Sequence, residues 1–290
     1  MQTFQHIGLI GRLESDTVLD TVRDLVKLLT SRAVDFSVER AIAERLGDLT
    51  VPEAEREAIG EMCDLAIVVG GDGSLLGAAR SLASHDCAVL GINRGRLGFL
   101  TDIRPECVQR DVAAVLDGRF LVEERFLLDI VVERAEQAIS WGEALNDVVI
   151  NSGRSARMIH FDLFMDGDFV YRQDSDGLIV STPTGSTAYA LSGGGPIMHP
   201  DLDALVLVPM FPHTLSARPI VVDGDTEIKV VIRDCHPYVS CDGQVHLNTA
   251  PGDIVRMRKK PDKLQLVHMK NHNFYAACRD KLGWSNRLVQ

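Results

Sequence analysis

Length and composition place this chain among ordinary folded proteins. It has 290 residues, 46% of them hydrophobic and 24% charged, with a formal net charge of −11. A chain of this length has room for about two domains, and the composition excludes a disordered, collagenous or disulfide-scaffold protein. The acidic balance argues against a nucleic-acid partner, since phosphate binding needs an excess of lysine and arginine. With no apolar run of about 18 residues, we expect no membrane partner either.

The N-terminal segment and the cysteines favour a cytoplasmic location. Residues 1–16 lack the basic start and the long apolar region of a signal peptide. The six cysteines are scattered without a CxxC pair, as is typical of reduced proteins. One group, Cys235, His236, Cys241 and His246, does not have the ligand spacing of a zinc site. We therefore predict a cytoplasmic protein with no dedicated metal site.

The first part of the chain alternates between strand and helix patterns. Ser15 and Asp16 suit the start of a helix whose apolar residues recur at helical spacing. Strands are predicted at 6–10, 36–38, 65–69 and 88–92, and helices at 16–33, after Pro52 and at 74–83. This order predicts a parallel sheet covered by helices.

From about residue 120 the pattern changes to the alternation of half-buried strands, as in Phe161, Leu163 and Met165. Four turn pairs are typical of hairpins: Asp166-Gly167, Asp223-Gly224, Asp242-Gly243 and Pro251-Gly252. The basic run 256–263 contains a Pro-Asp step and is interpreted as a solvated hairpin end.

These patterns together predict a fold of class α/β plus all-β. A Rossmann-like α/β domain with a parallel sheet covers 1–120, and a mainly antiparallel, β-sandwich-like domain covers 121–270. A last helix, within about 271–290, is expected to pack back on the first domain.

A glycine turn joins a predicted buried strand to a predicted helix at residues 70–74. Free backbone N–H groups at such a junction bind phosphate, so Gly70, Gly71, Gly73 and Ser74 are candidate phosphate ligands. A tight turn without a ligand is the alternative. The loop is no Walker A motif, because it has no lysine, and no GxGxxG fingerprint, because Leu76 replaces the third glycine.

Asp72 is the unusual member of this loop, since a carboxylate repels phosphate. It could accept a proton from an attacking hydroxyl or hold a magnesium ion. Its structural alternative is a helix N-cap.

A second polar segment extends from Asp174 to Pro196 and is rich in hydroxyl groups and glycines. It follows the pattern strand, turn and helix, with the turn at 182–186 and the helix opening at 187–191. A polar run of this length between apolar strands indicates binding of an anion or a sugar.

Five segments of the chain resemble the NAD kinases of the bacterial, short-chain type. They are GGDGS at 70–74, GINRGRLGFL at 91–100, LNDVV at 145–149, SDGLIVSTPTGSTAY at 175–189 and LSGGGP at 191–196. A bare GGDG is shared with diacylglycerol, sphingosine and phosphofructokinase relatives, whereas the second and fourth segments point to NAD kinases alone.

The resemblance implies that the chain transfers the γ-phosphoryl group of ATP to the 2′-hydroxyl of the adenosine ribose of NAD, with Asp72 as proton acceptor. It implies that Asn146 and Asp147 hold the adenine and ribose. The family more often has glutamate at the second position, so the shorter Asp147 must be re-aimed or bridged by water. The NAD-binding residues implied are Asp72, Gly73, Asn146, Asp147, Arg157, Asp174, Asp176, Thr187, Ala188, Tyr189, Ala190, Leu191, Ser192 and Gln244.

The resemblance also implies NAD and ATP as small-molecule partners and a homo-oligomer, either a dimer or a tetramer. Magnesium or another divalent metal ion should enter with ATP rather than in a cage of its own. Asp174 occupies a position that varies in the family and bears on the choice between NAD and NADH. ATP and polyphosphate both remain possible donors.

Two other functions are consistent with the loops alone. A lipid kinase would use the same glycine-aspartate loop but needs an apolar acyl pocket, which 174–196 does not suggest. A non-catalytic dinucleotide sensor would bind without consuming ATP. The histidines at 199, 213, 268 and 272 are expected in turns or at the surface, since no nucleophile signature accompanies them.

Overall fold

The chain forms two compact units. A computed structural model describes residues 4–12, 16–47, 49–95, 98–153 and 158–284. The first unit consists of residues 1–124 and 264–290, and the second of residues 125–263. The boundaries fall within two long strands, at 120–134 and 254–269, so each of these contributes residues to both units.

The described elements alternate between strand and helix in the first unit. Its strands are β1 (His6–Gly11), β2 (Asp35–Glu39), β3 (Glu53–Ala54), β4 (Leu65–Gly70) and β5 (Ala88–Asn93), and its helices are α1 (Asp16–Ser31), α2 (Arg40–Leu46), α3 (Arg56–Met62), α4 (Asp72–Leu82), α5 (Val108–Leu116) and, near the end of the chain, α7 (Phe274–Leu282). A short 3-10 turn at Pro105–Cys107 precedes α5.

The strands of the first unit form a parallel sheet. The order is β5, β4, β1, β2 and β3, and Leu266 and Val267 pair in parallel beside β5. Every residue of β4 and β5 is buried, as expected of strands covered on both faces. Helix α1 buries the face carrying Val22, Leu25 and Leu29 in the same apolar core. The predicted parallel α/β sheet is therefore confirmed.

The second unit is mainly antiparallel. Its strands begin with β6 (Phe120–Arg134), which starts in the first unit, followed by β7 (Gln137–Ala144), β8 (Asp147–Asn151), β9 (Ile159–Met165), β10 (Asp168–Ser175), β11 (Gly177–Ser181), β12 (Ala204–Met210), β13 (Ile220–Asp223), β14 (Ile228–Ile232), β15 (Tyr238–Cys241), β16 (Val245–Asn248) and β17 (Ile254–Met269), which ends in the first unit. One short helix, α6 (Tyr189–Ser192), follows a 3-10 turn at Thr184–Thr187.

Two layers of strands share the core of the second unit. One is the six-stranded sheet β13-β12-β11-β8-β15-β16, and the other includes β10, β9, β14 and the first part of β17. Ile150 and Leu178 from the first layer meet Phe161 and Val230 from the second in one buried cluster. The predicted antiparallel β region is confirmed, and with it the fold class.

Only two of the four turn pairs close hairpins. Asp166-Gly167 joins β9 to β10 and Asp242-Gly243 lies between β15 and β16, with positive φ at both residues of each pair. Asp223-Gly224 and Pro251-Gly252 instead connect strands that belong to different sheets. The prediction of hairpins there was wrong, because the turn chemistry specifies the reversal but not the strand that pairs afterwards.

The interpretation of 256–263 as a hairpin end was also wrong. Strand β17 runs through this segment without interruption. Four of its five basic side chains are paired with acids of the same unit: Arg256 with Glu133 and Glu227, Arg258 with Glu227, Lys259 with Asp203 and Asp225, and Lys260 with Glu143. These ion pairs neutralise the basic segment 256–263, which can therefore form part of a strand within a sheet.

Helices α2 and α5, strand β3 and one turn of the second unit were not predicted from the sequence. Helix α2 follows β2 directly, and a turn with positive φ at Ala135 and Glu136 joins β6 to β7 without any of the usual turn residues. No helix in the described part of the chain is both long and apolar enough to cross a membrane.

Candidate functional site

The glycine turn lies where the sequence places it, between a buried strand and a helix. Strand β4 ends at Gly70, Gly71 is the N-cap of α4, and Asp72 is the first helical residue. The N–H of Ser74 donates to the carbonyl of Gly71 at 3.0 Å. Gly71 caps the helix through its backbone only, so Asp72 is not the N-cap and its carboxylate is available for other contacts.

Three donors from one loop hold the Asp72 carboxylate. The N–H of Phe99 donates to Oδ2 at 2.6 Å, and the N–H of Leu100 and the hydroxyl of Thr101 donate to Oδ1, each at 3.2 Å. The side chain of Asp72 is nevertheless 31% exposed to solvent. A charged acceptor fixed in this way is oriented and still open to a ligand.

Gly98 allows this loop to approach Asp72. A Cβ at position 98 would lie 1.7 Å from Asp72 Oδ1 and 2.3 Å from the hydroxyl of Thr101. No side chain fits in that space, so the carboxylate can keep its three donors only beside a glycine.

Lys281, on α7, completes this group and was not found from the sequence. Its Nζ lies 3.8 Å from Asp72 Oδ2 and 3.9 Å from the centre of the Phe99 ring, and its side chain is only 12% exposed. Burial lowers the pKa of the amine, although the charges of Asp72 and Asp102 oppose that change. The glycine turn, which contains no lysine of its own, therefore has a buried amine beside it.

His268 was wrongly expected in a turn or at the surface, whereas His272 lies in a turn as expected. His268 belongs to β17 and is fully buried, and His272 is 10% exposed. Their hydrogen bonds to Asp102 outweigh the effect of burial and lower the pKa of that carboxyl to about 2. The strand pattern around 268 was the available sequence signal for its burial.

In the second unit the asparagine-acid pair lines a small cavity. The cavity has a volume of about 260 Å³ and is lined by Asn146, Asp147, Val149, Asn151, Ala188, Tyr189, Ser240, Asp242 and Gly243. Asp242, which the sequence marked only as a turn residue, accepts the backbone N–H groups of residues 145, 146 and 147 at 3.1, 2.8 and 3.3 Å. The turn between β15 and β16 thus positions the pair.

Asp147 is an unusual carboxyl group. It is 4% exposed, and burial together with the nearby charge of Asp242 raises its pKa to about 7, while a hydrogen bond from the Tyr189 backbone opposes the rise. Near neutral pH the group therefore exists in both protonation states, as a donor and as an acceptor.

The polar segment after β11 packs tightly against the same region. Thr182 donates its hydroxyl to the carbonyl of Leu145 at 2.5 Å, and a Cβ on Gly185 would lie 2.1 Å from the carbonyl oxygen of Asn146. The turn at 182–186 appears as predicted, but the helix that follows is one turn long, over 189–192. A single turn aligns few peptide dipoles, so it adds little helix-dipole attraction for an anion.

Apart from Ala188 and Tyr189, the remaining predicted residues are not in the lining of that cavity or lie outside the described residues. Asp176 lines a second cavity of about 810 Å³, together with His160, His213 and Cys235. Asp174 accepts a hydrogen bond from His160 at 2.6 Å, which raises the pKa of the imidazole. In the 182–192 segment Tyr189 and Ser192 are exposed, Thr187 and Leu191 are half-buried and Ala190 is buried. Gln244 is exposed after the β15–β16 turn, and Arg157 lies outside the described residues.

Comparison with known proteins decides the family. The ATP-NAD kinase N-terminal domain family matches residues 7–120, and the ATP-NAD kinase C-terminal domain family matches residues 145–269. An NAD kinase of Pseudomonas putida is 60% identical over 99% of this chain and 98% of its own. The chain belongs to the NAD kinase family. Its enzymatic activity is that of the family, a kinase acting on NAD, and neither the lipid kinase nor the non-catalytic sensor is favoured.

Solved structures share the fold. A yeast NADH kinase complexed with NADH has the same fold, with a TM-score of 0.91 and 24% identity, covering 100% of this chain and 91% of that one. An NAD kinase from Archaeoglobus fulgidus in complex with ATP has a TM-score of 0.73 and 26% identity, covering 96% of this chain and 98% of its own.

The first prediction concerns the close approach at Gly98. We expect Gly98→Ala to displace Asp72 or the loop, to lower the free energy of unfolding by about 1–3 kcal/mol and to reduce NAD kinase activity. Gly95→Ala is the matched control, since a Cβ there meets a single atom at 3.9 Å. Urea unfolding and a kinase assay measure both variants, and equal behaviour of the two would contradict the steric argument.

The second prediction follows from the raised pKa of Asp147. A carboxyl group whose pKa is higher in the folded than in the unfolded chain stabilises the folded chain at low pH. For Asp147 this contribution is complete below the ordinary pKa of 3.8 and is lost as the pH rises through about 7. We therefore expect Asp147→Asn to be more stable than the parent by about 4 kcal/mol at about pH 8, and to have nearly the same stability as the parent at about pH 4.

Urea unfolding at both pH values measures this difference. Asp168→Asn, at an exposed position on β10, is the control and should show no such difference. A gain of the same size at both pH values would contradict the assigned titration.

Proposed function

We propose that this chain transfers the γ-phosphoryl group of ATP to the 2′-hydroxyl of the adenosine ribose of NAD, with Asp72 as the general base. The observation that carries the proposal is the carboxylate of Asp72, fixed by three donors at the start of α4 and still partly exposed. The glycine turn beside it offers backbone N–H groups to phosphate. A fixed acid next to a phosphate site fits transfer to a hydroxyl.

The chemical step balances with these groups alone. The ribose 2′-oxygen forms a bond to the γ-phosphorus, the bond from that phosphorus to the bridging oxygen breaks, and ADP leaves with the electron pair. Asp72 takes the proton of the hydroxyl. Because the transition state of phosphoryl transfer is loose, the nucleophile needs little activation, and an aspartate suffices for a late proton transfer.

Lys281 supplies positive charge to this step. A Walker A loop carries its lysine within the phosphate loop, whereas this turn has none. The Lys281 amine, within 4 Å of both Asp72 and the Phe99 ring, stands in for it. Its attraction to the transferred phosphoryl group offsets the repulsion between that group and the Asp72 carboxylate.

The second unit supplies NAD-binding residues. Asn146 and Asp147 line the 260 Å³ cavity with Ala188 and Tyr189, and they are proposed to hold the adenine and ribose. Asp176, in the 810 Å³ cavity, is proposed to reach toward the nicotinamide end. The proposed contacts include Gly73, Asp174, Gln244, Arg157 and the segment 187–192. The archaeal relative bound to ATP and the yeast relative bound to NADH support nucleotide substrates of this kind.

Magnesium or a similar divalent ion is proposed to arrive with ATP, where it neutralises charge on the phosphates. The environment of Asp72 fits this mode, because three protein donors and an ammonium group already surround that carboxylate. We further propose a cytoplasmic homo-oligomer and the domain bounds 1–120 and 121–270. Helix α7, which groups with the first unit, supports placing the C-terminal helix in the first domain.

The decisive variant is Asp72→Asn. It keeps the shape of the side chain but removes the proton acceptor, so turnover should fall by about 10²–10⁴ while the protein still folds and still binds NAD. Steady-state kinetics, NAD titration and thermal unfolding measure the three quantities. Unchanged turnover in a folded protein would refute the role of Asp72.

Lys281→Met tests the amine. We expect kcat to fall by on the order of 10²-fold, partial recovery in Lys281→Arg, and no change in Lys27→Met, where an exposed lysine of α1 is removed. A purely structural role would instead lower thermal stability and leave the kcat of the folded fraction unchanged.

A further inference from the structure

A third cavity, of about 450 Å³, lies within the second unit and has no role in the proposed reaction. Its walls are residues 171–173 of β10, Pro209 of β12, Ile220 of β13 and part of the loop 211–219 that joins β12 to β13. It shares no described lining residue with the 260 Å³ and 810 Å³ cavities. Its volume is typical of sites that bind small molecules.

The cavity lies between edge strands of the two layers. Strand β10 is the last strand of one sheet, and β13 is the last strand of the other. Packed sheets are separated by about 10 Å, a space that interdigitating side chains fill. At this edge Tyr171, Pro209 and Ile220 provide apolar surface. A space of this width with apolar walls fits a flat ring.

The side chain of Gln173 lacks a hydrogen bond that a buried amide needs. Gln173 is 4% exposed, and its Nε2 atom makes no hydrogen bond within the described part of the chain. Ser175, on the same face of β10, is also buried but donates its hydroxyl to the carbonyl of Gly177 at 3.0 Å. An unpaired buried amide destabilises the folded chain. Because Gln173 lines the cavity, an acceptor atom of a ligand can pair with this amide.

The lining also includes a positive charge. Arg218 Nη1 donates to the carbonyl groups of Leu215 and Ala217 at 3.2 and 2.7 Å. No acidic side chain in the described part of the chain pairs with Arg218. The guanidinium group of Arg172, by contrast, is held by Asp162 at 2.7 and 3.1 Å. The uncompensated charge of Arg218 therefore favours an anionic ligand.

We propose that this cavity binds a small aromatic carboxylate. Its ring would lie against the apolar walls, and its carboxylate would accept a hydrogen bond from the Gln173 amide and be attracted by Arg218. A carboxylate is an acceptor with several lone pairs, so it can serve both groups. The hydroxyl groups of Thr214 and Ser216, 3.2 Å apart, are further hydrogen-bonding groups in the lining. The site does not depend on the proposed phosphoryl transfer.

Benzoate binding to the whole protein tests the proposal, with affinity measured by titration followed in the NMR signals of benzoate. The main variant is Gln173→Leu, since leucine is similar in size to glutamine but has no polar atom. Benzoate should bind this variant roughly 10–100-fold more weakly than the parent. Without benzoate the variant should melt at a higher temperature than the parent, because no unpaired amide is then buried. Gln137→Leu, at an exposed position on β7, is the control and should behave as the parent.

A second variant and a second compound test the charge. Arg218→Met should weaken benzoate binding by about tenfold, and Arg218→Lys should keep part of the affinity. Benzamide, which is neutral, should bind the parent more weakly than benzoate does. Saturating NAD should leave benzoate bound, because the cavities proposed for NAD have other lining residues.

Four results would overturn the proposal. They are no benzoate binding to the parent, equal benzoate affinity in the parent and Gln173→Leu, benzamide binding as tight as that of benzoate, and displacement of benzoate by NAD. None of these results bears on the phosphoryl transfer proposed for Asp72, which the kinase assay tests separately.

Discussion

The orientation of the Asp72 carboxylate by residues 99–101 is the interaction on which the rest of this site depends. A side chain at the first position of a helix has several rotamers of similar energy. Without a fixed rotamer, the carboxylate would often point at the phosphate site and repel phosphate instead of facing a hydroxyl group. The three donors lie 27 to 29 residues further along the chain. The site therefore exists only in the folded first unit, with the loop after β5 packed against the start of α4.

The elements that the sequence predicted well are those whose pattern is local. Strand β4 is a run of buried apolar residues and α1 has strong helical periodicity, so both follow from spacing alone. The basic run in β17 was misread because its neutralising acids are distant in the sequence: Glu133 is in β6, Glu143 is in β7 and Glu227 directly precedes β14. Likewise, a Gly-containing turn such as 223–224 reverses the chain without specifying which sheet the next strand joins.

In the candidate site, too, residues within local motifs were predicted, whereas residues that depend on long-range contacts were not. Asp72, Asn146 and Asp147 were predicted because they stand within motifs; in the structure Asp72 begins α4, Asp147 begins β8 and Asn146 directly precedes it. Asp242 was read as a turn residue, yet its carboxylate binds the backbone around Asp147 and its charge raises the pKa of that group. Two carboxyl groups that only folding brings together cannot be recognised from the spacing of residues in the sequence.

The glycine turn has no lysine of its own, and Lys281 is proposed to replace it through a contact between residues far apart in the sequence. In a phosphate loop with its own lysine, the charge is positioned by the same few residues that bind phosphate. Here the amine comes from α7, 209 residues after Asp72 by their numbering, and is held by the Phe99 ring and by burial. Its position thus depends on the docking of α7, so in the proposed reaction any change that loosens that helix should reduce phosphoryl transfer without touching the glycine turn.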